Sequence, residues 1–238
     1  MVKAVLSGGA LILVGTPIGN LDDMSARAVE ELSRADLVLC EDTRHSATLL
    51  RHYDVNVPTT SYGSHNVQSK IPWVLTQIRE GQRLALICDA GTPGISDPGS
   101  ALVAAVLAEG LKVEAVPGAS ALILALVLSG LPTDRFVFEG YLPHKKGRQT
   151  QLRELAAEER TIVLYESPHR LCKTLEELRE HLGDRRAVVA RELTKVFEEV
   201  RRGRPSEHIE HFAEHEPRGE FVLVIAGTDF RERAALES

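Results

Sequence analysis

Cys88-Asp-Ala-Gly-Thr-Pro-Gly-Ile-Ser-Asp-Pro-Gly99 lies between a short apolar run, Arg83-Leu-Ala-Leu-Ile-Cys88, and the stretch Ser100-Ala-Leu-Val-Ala-Ala-Val-Leu-Ala-Glu109. The first flank has the length and composition of a buried strand, the second those of a helix. The segment between them is therefore a loop at the carboxyl end of a strand, where open α/β sheets hold their ligands. Its glycines, Gly91, Gly94 and Gly99, admit close approach of a backbone or a ligand, while Pro93 and Pro98 stiffen the path. Roughly ten residues exceed an ordinary strand-to-helix connection. The composition suits a small molecule held by main-chain groups; a plain connection is the alternative.

Working outward, residues 10–15 predict a strand that turns through Thr16-Pro-Ile-Gly-Asn20, and Ser25 is placed to cap a helix running to about Arg34. A second strand is expected over residues 36–40, which completes a βαβ unit. Neither G-x-G-x-x-G nor G-x-x-x-x-G-K-[ST] occurs, which argues against dinucleotide and P-loop nucleotide binding. Glu41-Asp-Thr-Arg-His45 then concentrates two acids, a hydroxyl, a guanidinium and an imidazole before a helix near residues 46–52. That concentration marks either a functional edge or a helix first turn whose acids favour the dipole. Residues 56–71 read as a polar loop before a helix over 73–80.

Downstream, residues 112–116 predict a strand, and Pro117-Gly-Ala-Ser-Ala121 enters an apolar helix reaching Leu128. Small residues there leave backbone amides open to a carboxylate or hydroxyl, or simply allow tight helix packing. Ser129-Gly-Leu-Pro132 breaks the pattern. A domain boundary is expected there, with an N-terminal α/β domain over 1–132 carrying the loop and a C-terminal α/β domain over 133–238. In the second half, strands are expected at 135–139, 161–165, 187–190, 196–200 and 221–225, with helices over 149–157 and 169–181. Later strands follow one another with little helix between, so the N-terminal sheet should be mostly parallel and the C-terminal sheet mixed.

The composition bounds the function classes. With 238 residues, 43% hydrophobic and 26% charged, a sizeable core is available, and a net charge of -6 carries no global basic field. Cys40, Cys88 and Cys172 are few, odd in number and far apart, as expected of reduced thiols in a cytoplasm. No signal-like opening and no apolar run of about 18 residues appears, so no membrane association is expected. His208, His211 and His215 have a spacing that can gather metal ligands on a helix face. Glu207, Glu210, Glu214 and Glu216 around them favour a solvated helix, and no metal is expected. No G-x-S-x-G elbow supports a serine hydrolase.

Seven motifs in order carry a resemblance: Val14-Gly-Thr-Pro-Ile-Gly-Asn20, Glu41-Asp-Thr-Arg44, Asp89 to Gly99, Pro117-Gly-Ala-Ser-Ala121, Glu166-Ser-Pro-His-Arg170, Arg191-Glu-Leu-Thr-Lys195 and Gly219-Glu-Phe-Val222. Together they resemble the ribosomal RNA small-subunit methyltransferases of the tetrapyrrole methylase superfamily, the class III S-adenosylmethionine-dependent methyltransferases. Many members continue with a small helical region past the point that matches Ser238. The resemblance implies a homodimer of two-domain α/β chains, with S-adenosylmethionine held between the domains. It also implies 2′-O-methylation of a cytidine ribose in small-subunit ribosomal RNA, free or in the assembled subunit. Carried over residue by residue, Asp89, Gly91, Thr92, Ile95, Ser96, Ser120 and Ala121 line the cofactor pocket from the first domain. Tyr165, Leu193 and Glu220 do so from the second.

Methyl transfer from a sulfonium is an in-line displacement, so alignment and removal of the hydroxyl proton are the protein's tasks. Asp42, Arg44, Lys145, Glu166 and Arg191 are the candidates for base or cation, and Arg44, Lys145, Lys146, Arg148 and Arg170 are the candidates to meet RNA phosphates. Methylation of a tetrapyrrole or other small molecule, and a non-catalytic S-adenosylmethionine-binding protein, are the alternatives.

Overall fold

The computed structural model describes residues 8–231. Their contacts divide the chain into two units, one ending at Ser120 and one beginning at Ala121. The first unit runs β1 (Ala10–Val14), α1 (Ala26–Arg34), β2 (Leu37–Cys40), α2 (Thr43–His52), β3 (Thr59–Ser61), α3 (Val67–Arg79), β4 (Arg83–Leu86), α4 (Gly99–Ala108) and β5 (Lys112–Val116), with a short 3-10 turn at Leu21–Asp23. Its strands stand in the order β3-β2-β4-β1-β5, all parallel. Alternate residues of the strands feed opposite faces. Ile12 and Val38 join Ala28 and Leu32 of α1 on one side, while Leu11, Leu39 and Leu84 meet Ile78 and Leu102 of α3 and α4 on the other. Ser25 caps α1 as the sequence suggests, accepting from the Ala28 amide at 3.1 Å. Because every strand runs the same way, the carboxyl ends of β1, β2, β4 and β5 all open on one edge.

Part of the expected 56–71 loop is ordered structure. Thr59–Ser61 is an edge strand too short and polar to show a pattern. α3 starts six residues before Trp73, the expected start, and contains Pro72 within it.

The second unit comprises α5 (Ala121–Ser129), β6 (Phe136–Tyr141), α6 (Arg148–Ala156), β7 (Thr161–Glu166), α7 (Leu171–Leu182), β8 (Ala187–Arg191), β9 (Glu199–Gly203), α8 (Pro205–Glu214) and β10 (Phe221–Ile225). The order is β6-β7-β10-β8-β9, with β6 and β7 parallel and every other pair antiparallel. Leu152, Leu164, Leu175, Leu178, Phe212 and Leu223 form the core between the sheet and α6, α7 and α8. The division of the chain falls before α5, not at the Ser129 to Pro132 break. Leu122, Ala125 and Leu126 of α5 are buried, and the helix packs on β7, β8, β9 and β10, so its apolar surface belongs to the second sheet.

The expected strand over 196–200 is also displaced. Pairing begins at Glu199, opposite Arg191, and Val196 and Phe197 are 93% and 70% exposed in the preceding turn. β-branched and aromatic residues suit strands, but the ladder partner decides where pairing starts. The histidines of α8 separate as well. His208 is buried and shares a hydrogen bond with the Ala187 carbonyl at 3.2 Å, and burial holds its pKa below the ordinary histidine value. His211 and His215 stack at 4.3 Å. Among the described residues no cluster of three or more metal-ligating side chains occurs, and no helix is long and apolar enough to cross a membrane.

Candidate active site

Three loops leave the carboxyl edge of the first sheet and are tied together by main-chain contacts. The Thr16 amide donates to the Gly91 carbonyl at 2.8 Å, and the buried Thr16 hydroxyl lies 3.3 Å from the Cys88 and Gly91 carbonyls. From the other side, the Thr92 hydroxyl donates to the Ala119 carbonyl at 3.1 Å. The loops after β1 and β5 touch backbone to backbone, since a Cβ built on Gly15 would stand 2.7 Å from both Cα and N of Gly118. Gly91 adopts φ +85°, and a Cβ there would sit 3.3 Å from Ile18 Cγ2.

Asp97 organises the remainder of the loop. Its two oxygens accept the Gly94 amide, each at 2.8 Å, and one also accepts the Gly99 amide at 2.6 Å. Ser96 is thereby held at φ 61°, a conformation costly for a residue with a side chain. Asp89, Ile95 and Ser96 face solvent, and Ser120 is half-buried. The crevice behind the loop, between Glu41, Tyr62, Cys88 and Asp97, measures about 10 Å³, room for no more than a water. Cys88 is no nucleophile there: burial, with Asp97 adding to it, pushes its thiol up to about 12.

The rim continues through Glu41 and Asp42. Asp42 is the N-cap of α2, accepting the Arg44 amide at 2.8 Å, and that backbone bond holds its carboxyl below the ordinary aspartate value. Its own amide donates to Asp89 at 3.3 Å. The Arg44 side chain is 91% exposed, with Nε 3.5 Å from Asp42. Glu41 behaves oppositely: burial first, then the charges of Asp89 and Asp97, raise its pKa. The sequence put Asp42 and Arg44 among the candidate residues; Glu41, Thr16 and Asp97 stood in the quoted motifs without a role of their own, and Tyr62 stood in none. Asp97 was the accessible one, since an aspartate before Pro-Gly commonly accepts nearby amides in a turn.

In the second unit, Phe221 pairs with Glu166 on one side and Arg191 on the other, which brings Tyr165, Glu166, Arg191, Leu193 and Glu220 to one end of that sheet. Tyr165 packs against Phe138 at 5.0 Å and Tyr141 at 5.7 Å. Tyr141 is the register partner of Tyr165, and the exposed Lys145 follows it by four residues. Glu192 and Thr194 stand at φ 50° and 68°. Their turn is clamped to Glu220: the Glu192 amide donates to the Glu220 carbonyl and the Glu220 amide to the Glu192 carboxylate, each at 3.0 Å. Lys195 Nζ bridges both carboxylates at 2.9 and 2.8 Å, and Leu193 is buried beneath. Arg191 donates to the Arg218 carbonyl at 2.7 Å and pairs with Glu199 at 3.3 Å.

Glu166 is buried with both oxygens engaged. One accepts the Ser167 amide at 2.8 Å, the other the Thr174 hydroxyl at 2.6 Å and Arg170 Nη2 at 3.1 Å. Arg148 is only 4% exposed; it donates to Glu177 at 2.7 Å, to Thr174 at 2.8 Å and to the Pro143 carbonyl at 3.2 Å. Arg170 also donates to the Leu142 carbonyl at 2.8 Å. Two cations expected to meet RNA are thus engaged inside the unit: Arg148 answers the partly buried Glu177 and Arg170 the buried Glu166, while Arg44, Lys145 and Lys146 remain exposed.

The family model of the Tetrapyrrole (Corrin/Porphyrin) Methylases matches residues 10–208. The chain belongs to this family. Within it, the chain is 53% identical over 227 residues to the ribosomal RNA small subunit methyltransferase I of Synechocystis sp., covering 94% of this chain and 81% of that relative. It is 45% identical over 221 residues to the protein of the same name from Thermotoga maritima, covering 93% of this chain and all of that relative. Among solved structures, diphthine synthase superposes with a TM-score of 0.70 at 14% identity, covering 91% of this chain and 89% of that one. That likeness shows the fold alone, two α/β units with one parallel and one mixed sheet. The sequence relatives, not the fold, separate the methyltransferases of ribosomal RNA from other members of the family.

Proposed function

We propose that this chain transfers the methyl group of S-adenosylmethionine to the 2′-hydroxyl of a cytidine ribose in small-subunit ribosomal RNA, as a homodimer in the cytoplasm. The observation that carries the cofactor assignment is the loop from Cys88 to Gly99. It is locked by main-chain contacts to the loops after β1 and β5, and its Asp89 accepts the amide of Asp42, which with Glu41 follows β2. Carboxylates there favour a ligand bearing a sulfonium and an ammonium, and the absence of a Cβ at Gly91 lets this loop pack against Ile18 and the Ala119 carbonyl.

When bound, the cofactor supplies an electrophilic methyl group: its sulfur–carbon bond breaks as the oxygen–carbon bond forms. The protein has to align the ribose oxygen and receive its proton. Asp42, whose carboxyl already accepts the Arg44 amide as the cap of α2, and Glu41 beside it on the same rim are the candidate acceptors; the cap bond lowers the pKa of the first, and burial raises that of the second. Arg44, exposed and paired with Asp42, is the candidate to stabilise the developing alkoxide or a neighbouring phosphate. Lys145 and Lys146 are the corresponding exposed cations of the second unit, whereas Glu166 is taken up by Ser167, Thr174 and Arg170 and Arg191 by Glu199 and the Arg218 carbonyl. Asp89, Gly91, Thr92, Ile95, Ser96, Ser120 and Ala121, with Tyr165, Leu193 and Glu220, are the proposed cofactor contacts. Thr92 acts partly by fixing the loop.

Incubation with methyl-labelled donor tests the activity. Label should appear on a ribose of small-subunit RNA or small subunits, and none on free tetrapyrrole; the reverse distribution overturns the reading. Two variants divide the roles. Gly91→Val adds a branched side chain at φ +85° beside Ile18, so affinity for S-adenosylmethionine should fall on the order of 10-fold or more in calorimetry. Arg44→Ala should lower turnover while leaving that affinity unchanged. For the homodimer, the support is the outer face of α5, where Ile123, Val127 and Leu128 are exposed. Light scattering at micromolar concentration should give twice the chain mass, and the single-chain mass alone would rule it out.

A further inference from the structure

β6 is an edge strand of the second sheet, and it carries one residue more than its partner. Phe138 stands opposite Val163 and Gly140 opposite Leu164, so Glu139 has no counterpart on β7. Gly140 takes φ +60° at this step, and Gln151 of α6 donates to the Glu139 carboxylate at 2.6 Å. Because neighbours along a strand face opposite ways, one inserted residue turns over everything after it. Without it Phe138 and Tyr141 would lie on opposite faces. With it they share the face of Tyr165, the register partner of Tyr141, while Leu142 turns into the core on the other side.

The result is an aromatic ring held on one side and open on the other. Tyr141 leans on Tyr165 at 5.7 Å, and Tyr165 on Phe138 at 5.0 Å, yet Tyr141 is 54% exposed. Burial first, then the charges of Glu220 and Glu166, raise the pKa of its hydroxyl, as befits a ring at the end of the sheet that gathers those carboxylates. The chain beyond it is held as firmly. The Leu142 carbonyl accepts Arg170 at 2.8 Å and the Pro143 carbonyl accepts Arg148 at 3.2 Å, and Glu166 and Glu177 fix the two arginines in turn. Between these clamps and α6, residues 144–147 are exposed and bring His144, Lys145 and Lys146 to the surface.

We propose that Tyr141 is a stacking platform for a base of the RNA strand near the methylated ribose, with Lys145 and Lys146 taking the phosphates alongside. This rests on the RNA reading above and adds a base contact to it. Single strands are held by an aromatic ring that takes the flat face of a base and by cations that track the backbone. Lys145 lies four residues from Tyr141, at most about 14 Å, so one strand can meet both. A tyrosine already fixed by its neighbours loses little freedom on binding, since only two side-chain torsions are left to order. Its contact with Tyr165, a proposed cofactor contact, sets the platform beside the methyl donor. The aliphatic patch of α5 suits a second copy of the chain, whereas an exposed ring followed by lysines suits a nucleic acid.

The test compares Tyr141→Leu and Tyr141→Phe with the parent, by filter binding of a single-stranded small-subunit RNA fragment across a potassium chloride series. Tyr141→Leu should bind on the order of 10-fold more weakly at every salt concentration, with the slope of log affinity against log salt unchanged, because stacking releases no counterions. Tyr141→Phe keeps the ring and should bind as the parent does. Lys145→Gln/Lys146→Gln should instead make the slope shallower by roughly 1.5. In methylation assays the KM of Tyr141→Leu for RNA should rise by about the same factor as its dissociation constant, with calorimetric affinity for S-adenosylmethionine unmoved. Parent-like RNA affinity in Tyr141→Leu overturns the proposal, and so does an equal loss in Tyr141→Phe, which would make the hydroxyl and not the ring the contact. If Tyr141→Leu loses S-adenosylmethionine and keeps RNA, the ring belongs to the cofactor pocket; if it keeps RNA but shows a lower mass than the parent in light scattering, the ring is a contact between copies. Either result overturns the proposal as well. A parent protein that binds no RNA at any salt concentration removes the RNA reading itself, and this site with it.

Discussion

Gly15→Ala is expected to lose donor binding almost completely, although it adds a single methyl group. Its Cβ would stand 2.7 Å from Cα and N of Gly118, and a Cβ on Gly118 would meet Gly15 equally closely. Both sides of the contact are backbone, so no side-chain rotamer can relieve it. One loop has to move. Gly15 is the residue before Thr16, whose amide and hydroxyl tie the first loop to Gly91 and Cys88, and Gly118 is the residue before Ala119, which receives the Thr92 hydroxyl. A shift at either position therefore reaches the cofactor loop directly. The overpacking should cost about 2 kcal/mol of stability, and the dissociation constant for S-adenosylmethionine should rise on the order of 100-fold, equivalent to roughly 3 kcal/mol. Calorimetric titration of the folded variant measures the second quantity. Parent-like affinity would show that the three loops do not act as one binding surface.

Arg148→Met is expected to have the largest effect on stability. The guanidinium joins Glu177 to Thr174, and Thr174 in turn donates to Glu166, whose other partners are Arg170 and the Ser167 amide. The carboxylates at the two ends of this chain are 12% and 1% exposed on their side chains. Methionine fills much of the same volume but leaves Glu177 half desolvated and Thr174 without one of its partners. Removing one member of a buried ion pair typically costs about 3–5 kcal/mol, which for a chain of this size corresponds to a fall in Tm on the order of 10 °C. Lys145→Gln, three residues earlier and exposed, should leave Tm within about 1 °C, since surface changes away from such networks rarely exceed about 0.5 kcal/mol. Scanning calorimetry of the two variants separates them. An unchanged Tm for Arg148→Met would mean that this arginine is free for RNA after all.

The sequence determined what depends on neighbours along the chain. The strand, loop and helix around Cys88 to Gly99 were legible because an apolar run, a glycine and proline cluster and a helical stretch follow one another without a gap. Ser25 as the cap of α1 was legible because a cap is satisfied within three residues. The ordered motifs placed the chain in its family for the same reason, each being a local signature in a fixed succession.

Only the tertiary structure decided matters that depend on distant partners. Arg148 in a lysine- and arginine-rich segment has the look of an RNA contact, and it is the carboxylate of Glu177, on another helix, that takes it inside. Val196 and Phe197 have strand composition, but Arg191 finds its ladder partner at Glu199 and leaves them in the turn. The helix α5 is apolar throughout, so its sequence could not say which sheet it covers. Arg185, Arg186, Arg204 and Arg231 line one hollow, although three strands and a helix lie between them along the chain. Their convergence comes from the antiparallel order of β8, β9 and β10, because pairing in opposite directions brings the start of one strand beside the ends of its neighbours.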